Sequence, residues 1–592
     1  MLKKRAFYTS NWVAPQKYFM AFVPLSGDKS LFCFPKKTAP CRKTERSERR
    51  DLLLLIYSTE ETNMKRNIIP ALLLLAALML SLAACGLSPK AGGTAGTQTS
   101  DAETESETAG TQAPVQPSRI VIAIASEPST LHPFDHSAVV CGYMNQMTYN
   151  KLFTTDIDTL EPVPELVESY TCSEDGLTWT FTLRQGVRFQ NGEEMTAADA
   201  VASLEYASTF AFCSRYTSFW ETLEQVDTYT FRLTTAAPYS QTLCDLSANS
   251  ACVLPKSLID AGHDFTQQPC GTGPYCFASQ SIGDSVTFTR NADYFDADHQ
   301  PTIDTVIWRV IPEGASRTIG LETGEIDLVI DVEQNDVKRL QETEGIEVTS
   351  ITGTRLSFMT MNSQQAPFDN ILFRKAMNAA VDRQAVLDVA AGGLGTAALS
   401  PNPEVYAGST LENTTLYDPE LAAQLLAQSG VDTENLVLTC LCYSDETRRS
   451  AEVIQAALQE IGIRMEIETL DFAAFLSSML EGDYQLAVAG YSSTNMLTYM
   501  RGLWHSSSLG ASNAARLIDP EIDALIEQAE AQLDPEARTE ILLEICRRTN
   551  DLSLLVPLYT TSVIRAYRDD LGGVHVGPSG LMRYQDLYRL ED

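Results

Sequence analysis

The sequence predicts an α/β fold, and three stretches predict it. Ile120-Val121-Ile122-Ala123-Ile124 is a continuous apolar run, suited to a strand buried on both faces. Thr178-Trp179-Thr180-Phe181-Thr182-Leu183 alternates as a half-buried strand does. Between Ile454 and Val488 a helical pattern, an alternating run, a second helical pattern and a second strand follow one another. Strand, helix and strand in succession imply parallel pairing, because a parallel neighbour is reached only through a crossover.

The first run ends in Ser126-Glu127-Pro128, so a loop follows the strand's C-terminal edge, where open α/β sheets bind their ligands. After the strand at 178–183, Asn191-Gly192 reads as a turn, and Thr196 with Asp199 forms a capping box for a helix reaching about Ala207. Ile454, Leu458 and Ile461 share a helical face that Gly462 terminates at C′. Ile463, Met465 and Ile467 then alternate as a strand. Asp471 caps the next helix, with Phe472, Phe475, Leu476 and Met479 expected to face inward, and Tyr484, Leu486 and Val488 return as a strand.

At 592 residues the chain has room for three or four domains, and 44% hydrophobic against 20% charged residues is a globular composition. Lys and Arg total 43 against 77 Asp and Glu, a net of -34. The imbalance is uneven: residues 1–84 carry 14 basic and 6 acidic side chains, which leaves a net of -42 on the remaining 508. Such a surface repels phosphates, so no nucleic acid partner and no polybasic membrane footprint is expected.

The basic N-terminus contains one apolar segment, Ile68 to Ala84, preceded by Lys65 and Arg66 and closed by Leu82-Ala83-Ala84-Cys85. Its 17 residues fall short of the roughly 20 a permanent helical span needs and match a secretory signal peptide. The last four residues resemble the lipobox of bacterial lipoproteins, which implies a signal peptide at 64–84, lipid on Cys85 and a chain held at the extracytoplasmic face of the cell membrane. Residues 1–63 precede Met64 and show no sustained period; they are expected to be an upstream extension from a misplaced start. Residues 85–117 are rich in Gly, Ala, Thr, Ser, Gln and Glu with no aromatic residue, a disordered tether with an end-to-end distance of roughly 30 Å.

Ten of the 13 cysteines lie beyond the tether. Cys440 and Cys442 would share a strand face and make a poor disulfide, whereas Cys270 and Cys276 bracket a turn that could join them. Buried free thiols are the plainer reading for most. No metal site is expected, since the cysteines lack C-x2-C spacing and the six histidines are scattered. No H-E-x-x-H, G-x-S-x-G or G-x-x-x-x-G-K-[ST] occurs, so no catalytic residue is assigned and no enzyme activity or cofactor is expected.

Several segments resemble, in order, those of one family. Glu127-Pro128-Ser129-Thr130-Leu131-His132-Pro133 resembles its opening segment. Asp175-Gly176-Leu177-Thr178-Trp179-Thr180-Phe181 and Leu183-Arg184-Gln185-Gly186-Val187-Arg188-Phe189 follow. Then come Gly271-Thr272-Gly273-Pro274-Tyr275, Arg290-Asn291 through Tyr294, Thr323-Gly324-Glu325-Ile326-Asp327, and Pro367-Phe368 through Arg374-Lys375-Ala376. From about 118 to 592 the chain resembles the extracellular solute-binding proteins of family 5, the peptide and nickel group of ABC importers. The resemblance implies a two-lobed, type II periplasmic-binding-protein-like fold with an extra small domain in the first lobe. It puts lobe I at 118–158, 275–348 and 556–592, the accessory domain at 159–274 and lobe II at 349–555. Ligand would bind between lobes that close by hinge rotation. The implied partners are a peptide or other small ligand, a permease and an ATPase, with the binding protein itself a monomer.

Peptide-binding members carry an Asp for the ligand's amino terminus after a Gly-Trp segment. Here the run is Gly490-Tyr491-Ser492-Ser493-Thr494-Asn495, with Thr494 at that position. Dipeptide binders also carry a carboxylate-binding Arg in the loop before the helix that begins near Arg448, and residues 440–446 contain none. Arg355, placed by the resemblance beside Ser492, would favour an anion through bidentate bonding; a surface Arg at a strand start is the alternative. Glu127, Pro128, Ser129 and Thr130 would offer backbone hydrogen bonds, and Tyr275, Tyr491 and Trp504 are either cleft walls or core aromatics. Peptides are the expected ligand. Nickel chelate, haem or another small solute, a sensor lipoprotein and an exported hydrolase are the rival readings.

Overall fold

The computed structural model describes residues 118–590, and the expectations for residues 1–117, lipidation at Cys85 included, lie outside them. Within these residues one mixed sheet organises the molecule. In chain order its strands are β1 (Arg119–Ile124), β8 (Tyr275–Ser281), β9 (Ser285–Arg290), β10 (Thr305–Val310), β11 (Leu328–Val329), β12 (Ile346–Met361), β13 (Gly395–Ala397), β14 (Val437–Cys442), β15 (Arg464–Thr469), β16 (Leu486–Tyr491) and β17 (Leu555–Arg568). They lie in the order β15-β14-β16-β12-β17-β11-β1-β10-β9-β8, with β13 pairing β17 at the side. The expected α/β, two-lobed architecture is what is observed.

Two long strands carry the sheet across both lobes. Residues 346–352 of β12 pair with 562–568 of β17 in the half that continues through β11 and β1, and 356–360 pair with 555–560 beside β16. Between the two halves Gly353, Thr354 and Arg355 stand opposite the single residue Thr561, a bulge that breaks the register. A Cβ on Gly353 would lie 2.7 Å from the Thr561 carbonyl oxygen, so this close approach requires glycine. The expected boundaries at 348/349 and 555/556 fall inside these strands, and the register break lies further along both.

β1 is buried over five of its six residues, as its unbroken apolar run demands, and pairs in parallel with β10 and β11. β14 lies between β15 and β16 and pairs in parallel with both, as the strand–helix–strand pattern requires. The helix Asp445–Glu460 joining β14 to β15 is followed by Gly462 at φ +87°, the left-handed residue that ends it. Asp471 accepts the amide of Ala474 at the start of the next helix, Phe472–Glu481, a cap worth about 1 kcal/mol. That helix departs from expectation: Phe475 is its one fully buried residue, while Phe472 and Leu476 are 59% and 42% exposed. It follows β15, the last strand of the sheet, so there is surface to cover on one side only.

A smaller antiparallel sheet holds the accessory region. The short β2 (Phe153–Thr155) and β3 (Pro162–Pro164) lead into β4 (Val167–Cys172), β5 (Thr178–Leu183), β6 (Trp220–Gln225) and β7 (Thr230–Thr235), ordered β4-β5-β7-β6. β5 alternates inside and outside, and Trp179, Phe181 and Leu183 enter a core with Phe231 and Leu233. The Thr196–Asp199 capping box is formed and the helix runs Ala197–Ala207. The Gly271-Thr272-Gly273 turn packs against the end of the helix Val139–Thr148, where the Gly273 amide donates to the Thr148 carbonyl at 2.8 Å. The ten cysteines of the described residues are all free, Cys270 and Cys276 included, and seven are buried. Among the described residues no helix is long and apolar enough to cross a membrane.

Candidate functional site

The C-terminal ends of β1 and β16 and the start of the second half of β12 bring most of the sequence-expected site residues to sheet edges. After β1, Ser126 and Ser129 are exposed, Glu127 and Thr130 half-buried and Pro128 buried. The side chains here are occupied locally: Glu127 accepts from Gln280 Nε2 at 3.2 Å, Thr130 Oγ1 accepts the His132 amide at 3.0 Å, and Ser129 Oγ lies 3.5 Å from Cys141 Sγ. The backbone is not. Among the described residues the N–H groups of Ser126, Glu127, Ser129 and Thr130 find no acceptor. Pro128 has no N–H to offer, so the loop presents an unpaired edge that is exposed at Ser126 and Ser129.

His132 stands in the next turn, inside a ring of Phe134, Tyr206, Phe210 and Phe265. Its Nδ1 accepts the Phe134 amide at 3.1 Å, which leaves the proton on Nε2, toward the Tyr206 hydroxyl. Burial lowers its pKa to about 4, so the imidazole is neutral and anchors the loop without charge.

Across the sheet, Arg355 is the last residue of the β12 bulge, and its exposed guanidinium donates through Nη2 to the Tyr443 hydroxyl at 3.2 Å. It lies over Gly490 of β16, where a Cβ would come within 2.6 Å of the guanidinium carbon. The antiparallel pairs Leu356–Tyr491 and Ser357–Gly490 put Arg355 opposite Ser492, the juxtaposition expected from sequence. Among the described residues it forms no ion pair with a carboxylate.

Beyond β16, Ser492 and Thr494 are exposed. Ser493 is tied down on both backbone groups by one hydroxyl: its carbonyl accepts from Tyr406 Oη at 2.5 Å, and its amide donates to that oxygen at 3.2 Å. Asn495 caps the helix Met496–Trp504 by accepting the Thr498 amide, and its Nδ2 donates to Gln241 of the accessory region at 2.9 Å. Ser240 strengthens that junction, donating its amide to the Glu530 carbonyl at 2.7 Å. Sequence reasoning missed Gln241 and Asn495; the Asn-x-x-Thr spacing before an apolar helix signalled the cap, but nothing local signalled its partner.

Tyr491 is half-buried, its ring 5.3 Å from that of Tyr499 and its hydroxyl in space that Gly502 leaves open. It lines a cavity of about 660 Å³ between the accessory region and the helices Met496–Trp504 and Pro520–Ala531. In that cavity Tyr239 donates to Asp245 Oδ2 at 2.9 Å and Arg501 Nη1 reaches both carboxylate oxygens of Glu530 at 2.7 Å. Burial pushes the Asp245 carboxyl up to about 7, against the pull of Tyr239 and of Arg215 in the opposite direction.

Two of the expected residues are not at a surface. Tyr275 is fully buried at the start of β8, in the core with Trp308 and Phe288, and Trp504 is fully buried with its Nε1 donating to Asn402 Oδ1 at 3.0 Å. Both are core aromatics: the strand and the helix that carry them turn these side chains inward, away from any ligand approach.

The family model of bacterial extracellular solute-binding proteins, family 5 Middle, matches residues 161–511. The glutathione-binding protein GsiB of Salmonella typhi is 28% identical over 487 residues, covering 79% of this chain and 94% of its own. Heme-binding protein A of Haemophilus influenzae is 27% identical over 509 residues, covering 80% and 90%. The fold superposes on HbpA2 from Haemophilus parasuis with a TM-score of 0.73 at 23% identity, covering 80% of this chain and 99% of that one. The match across the middle of the chain and the two-lobed sheet agree: this protein belongs to family 5 of the bacterial extracellular solute-binding proteins, the substrate-binding components of ABC importers.

Proposed function

We propose that this protein captures peptides and presents them to the permease of its importer. The observation that carries the reading is the backbone of residues 126–130 beyond β1, unpaired among the described residues, an edge to which an extended ligand adds main-chain hydrogen bonds without needing particular side chains. Arg355, which forms no ion pair with a carboxylate among the described residues, supplies a cationic anchor, with Ser492 opposite it in the antiparallel pairing. Thr494 carries no charge for an ammonium, so the site tolerates a blocked amino terminus. A relative named for binding glutathione, itself a peptide acid, supports the same class.

The lobes follow the sequence divisions, 118–158 with 275–348 and 556–592 against 349–555, with 159–274 as the accessory domain. They rotate about the bulge at 353–355 and Thr561, which lies a few residues beyond those divisions in both strands and so leaves 349–352 with the first lobe and 556–560 with the second. The mature chain begins at Cys85, is held by lipid at the extracytoplasmic face and works as a monomer that performs no chemistry on its ligand. Denaturing mass spectrometry of whatever co-purifies, followed by calorimetry with that compound, tests the reading. Peptides are expected; haem or a metal chelate, with no binding of peptides, would overturn it.

A further inference from the structure

The guanidinium of Arg355 does not stand alone. Tyr443, the residue after β14, receives its hydrogen bond and packs in turn against two aromatic rings: edge-to-face on Phe472 at 5.3 Å and 65°, tilted on Phe475 at 4.8 Å and 48°. Phe475 belongs to a small buried cluster with Leu441, Tyr484 and Ala487, which fixes the floor. Phe472 is 59% exposed, a ring left in water at the N-terminus of its helix. Tyr443 follows β14, Phe472 lies beyond β15 and Arg355 directly precedes the β12 segment antiparallel to β16, so all three stand at one edge of the sheet.

We infer that Arg355, Tyr443 and Phe472 form a subsite for a carboxylate bonded next to an aromatic or large apolar group, as in a peptide ending in Phe with a free carboxyl. The inference rests on the proposed peptide capture and names the part of the ligand that this edge selects. Charge and shape both support it. The acidic groups nearest in sequence to Tyr443 are engaged elsewhere: Asp445 faces Arg448 at 3.6 Å and Glu446 accepts the Tyr559 hydroxyl at 2.6 Å. The guanidinium is therefore left for an outside anion, and the Tyr443 hydroxyl holds it in place. Loop 440–446 has no Arg of its own, and Arg355 supplies the cation from a neighbouring strand, an arrangement possible because Gly490 has no side chain for it to climb over. Next to that cation the exposed ring of Phe472 gains by covering apolar surface, and the Tyr443 ring, set edge-to-face against it, walls the subsite on the side of the guanidinium.

Calorimetry of the intact protein with N-acetyl-alanyl-phenylalanine, its C-terminal amide and N-acetyl-alanyl-glycine tests the subsite. The phenylalanine acid is expected to bind at least tenfold more tightly than either of the others. Phe472→Ala should abolish the preference for phenylalanine over glycine while keeping acid over amide, and Tyr443→Phe should narrow acid over amide. Equal affinities for the three probes overturn the subsite and leave peptide capture standing. Failure of all three to bind, with a non-peptide solute co-purifying, overturns the function and the subsite together.

Discussion

Arg355 lies flat across Gly490, so close that a Cβ at that glycine would sit 2.5 Å from Nη2. The two residues come from neighbouring antiparallel strands, and the missing side chain of one sets the course of the other. Gly490 is not in the left-handed region, so alanine is sterically admissible in the strand, and the atom it would displace is the tip of an exposed side chain.

From that relationship a split outcome follows for Gly490→Ala. Stability should change by no more than about 0.5 kcal/mol, as for a surface substitution. Affinity for an acidic peptide should fall, because the guanidinium is lifted from Tyr443. Arg355→Ala should weaken the same ligand by roughly 2 to 5 kcal/mol if the closed cleft desolvates the pair. Calorimetry together with urea unfolding checks both, and unaltered affinity in the Arg355 variant removes it from the site.

The Tyr239–Asp245 pair sets a pH dependence. The Asp245 carboxyl titrates at about 7 in the fold, against about 3.8 for the ordinary side chain, with burial as the leading cause. Between those two values the native protein holds a proton that the unfolded chain has released, so this group makes stability fall as pH rises from about 4 to about 7 and adds no further slope above that. The full penalty is at most about 4 kcal/mol. Asp245→Asn keeps an acceptor for the Tyr239 hydroxyl without the charge. Its unfolding free energy should exceed that of the parent at pH 8 and match it near pH 4. An equal pH slope in both proteins would contradict the assignment.

The Gly271-Thr272-Gly273 turn is a packing device. A Cβ at Gly273 would stand 2.4 Å from the Thr148 carbonyl carbon, and backbone cannot step aside as a side-chain tip can. Gly273→Ala is expected to cost about 1 to 3 kcal/mol in urea unfolding. A neutral result would mean that the two segments are less closely joined.

Cys85 lies outside the described residues, and its prediction stands on the Leu82-Ala83-Ala84-Cys85 run alone. Cys85→Ser should release the protein from membranes into medium or periplasm, assayed by fractionation; a variant that stays bound has its anchor elsewhere.

What the sequence made legible was local or periodic. The Thr196–Asp199 box spans one helical turn, β5 shows its faces by alternation, and the crossover around β14 is written in the order of its elements. Phe472 was misjudged because helical periodicity identifies an apolar face without saying whether a strand remains for it to cover. Tyr275 and Trp504 read in sequence equally as cleft walls or core aromatics, and only the strand and helix neighbours decide for the core. The bond between Arg355 and Tyr443 joins residues 88 positions apart, and no local pattern carries that information.

Small-angle scattering of the purified protein, emptied of ligand and then saturated with the peptide identified by mass spectrometry, tests the central claim most directly. The proposed rotation about the bulge at Gly353–Arg355 and Thr561 would close two rigid lobes, so the radius of gyration should fall on saturation while the far-ultraviolet circular dichroism stays the same. An unchanged radius at full occupancy would contradict capture between the lobes.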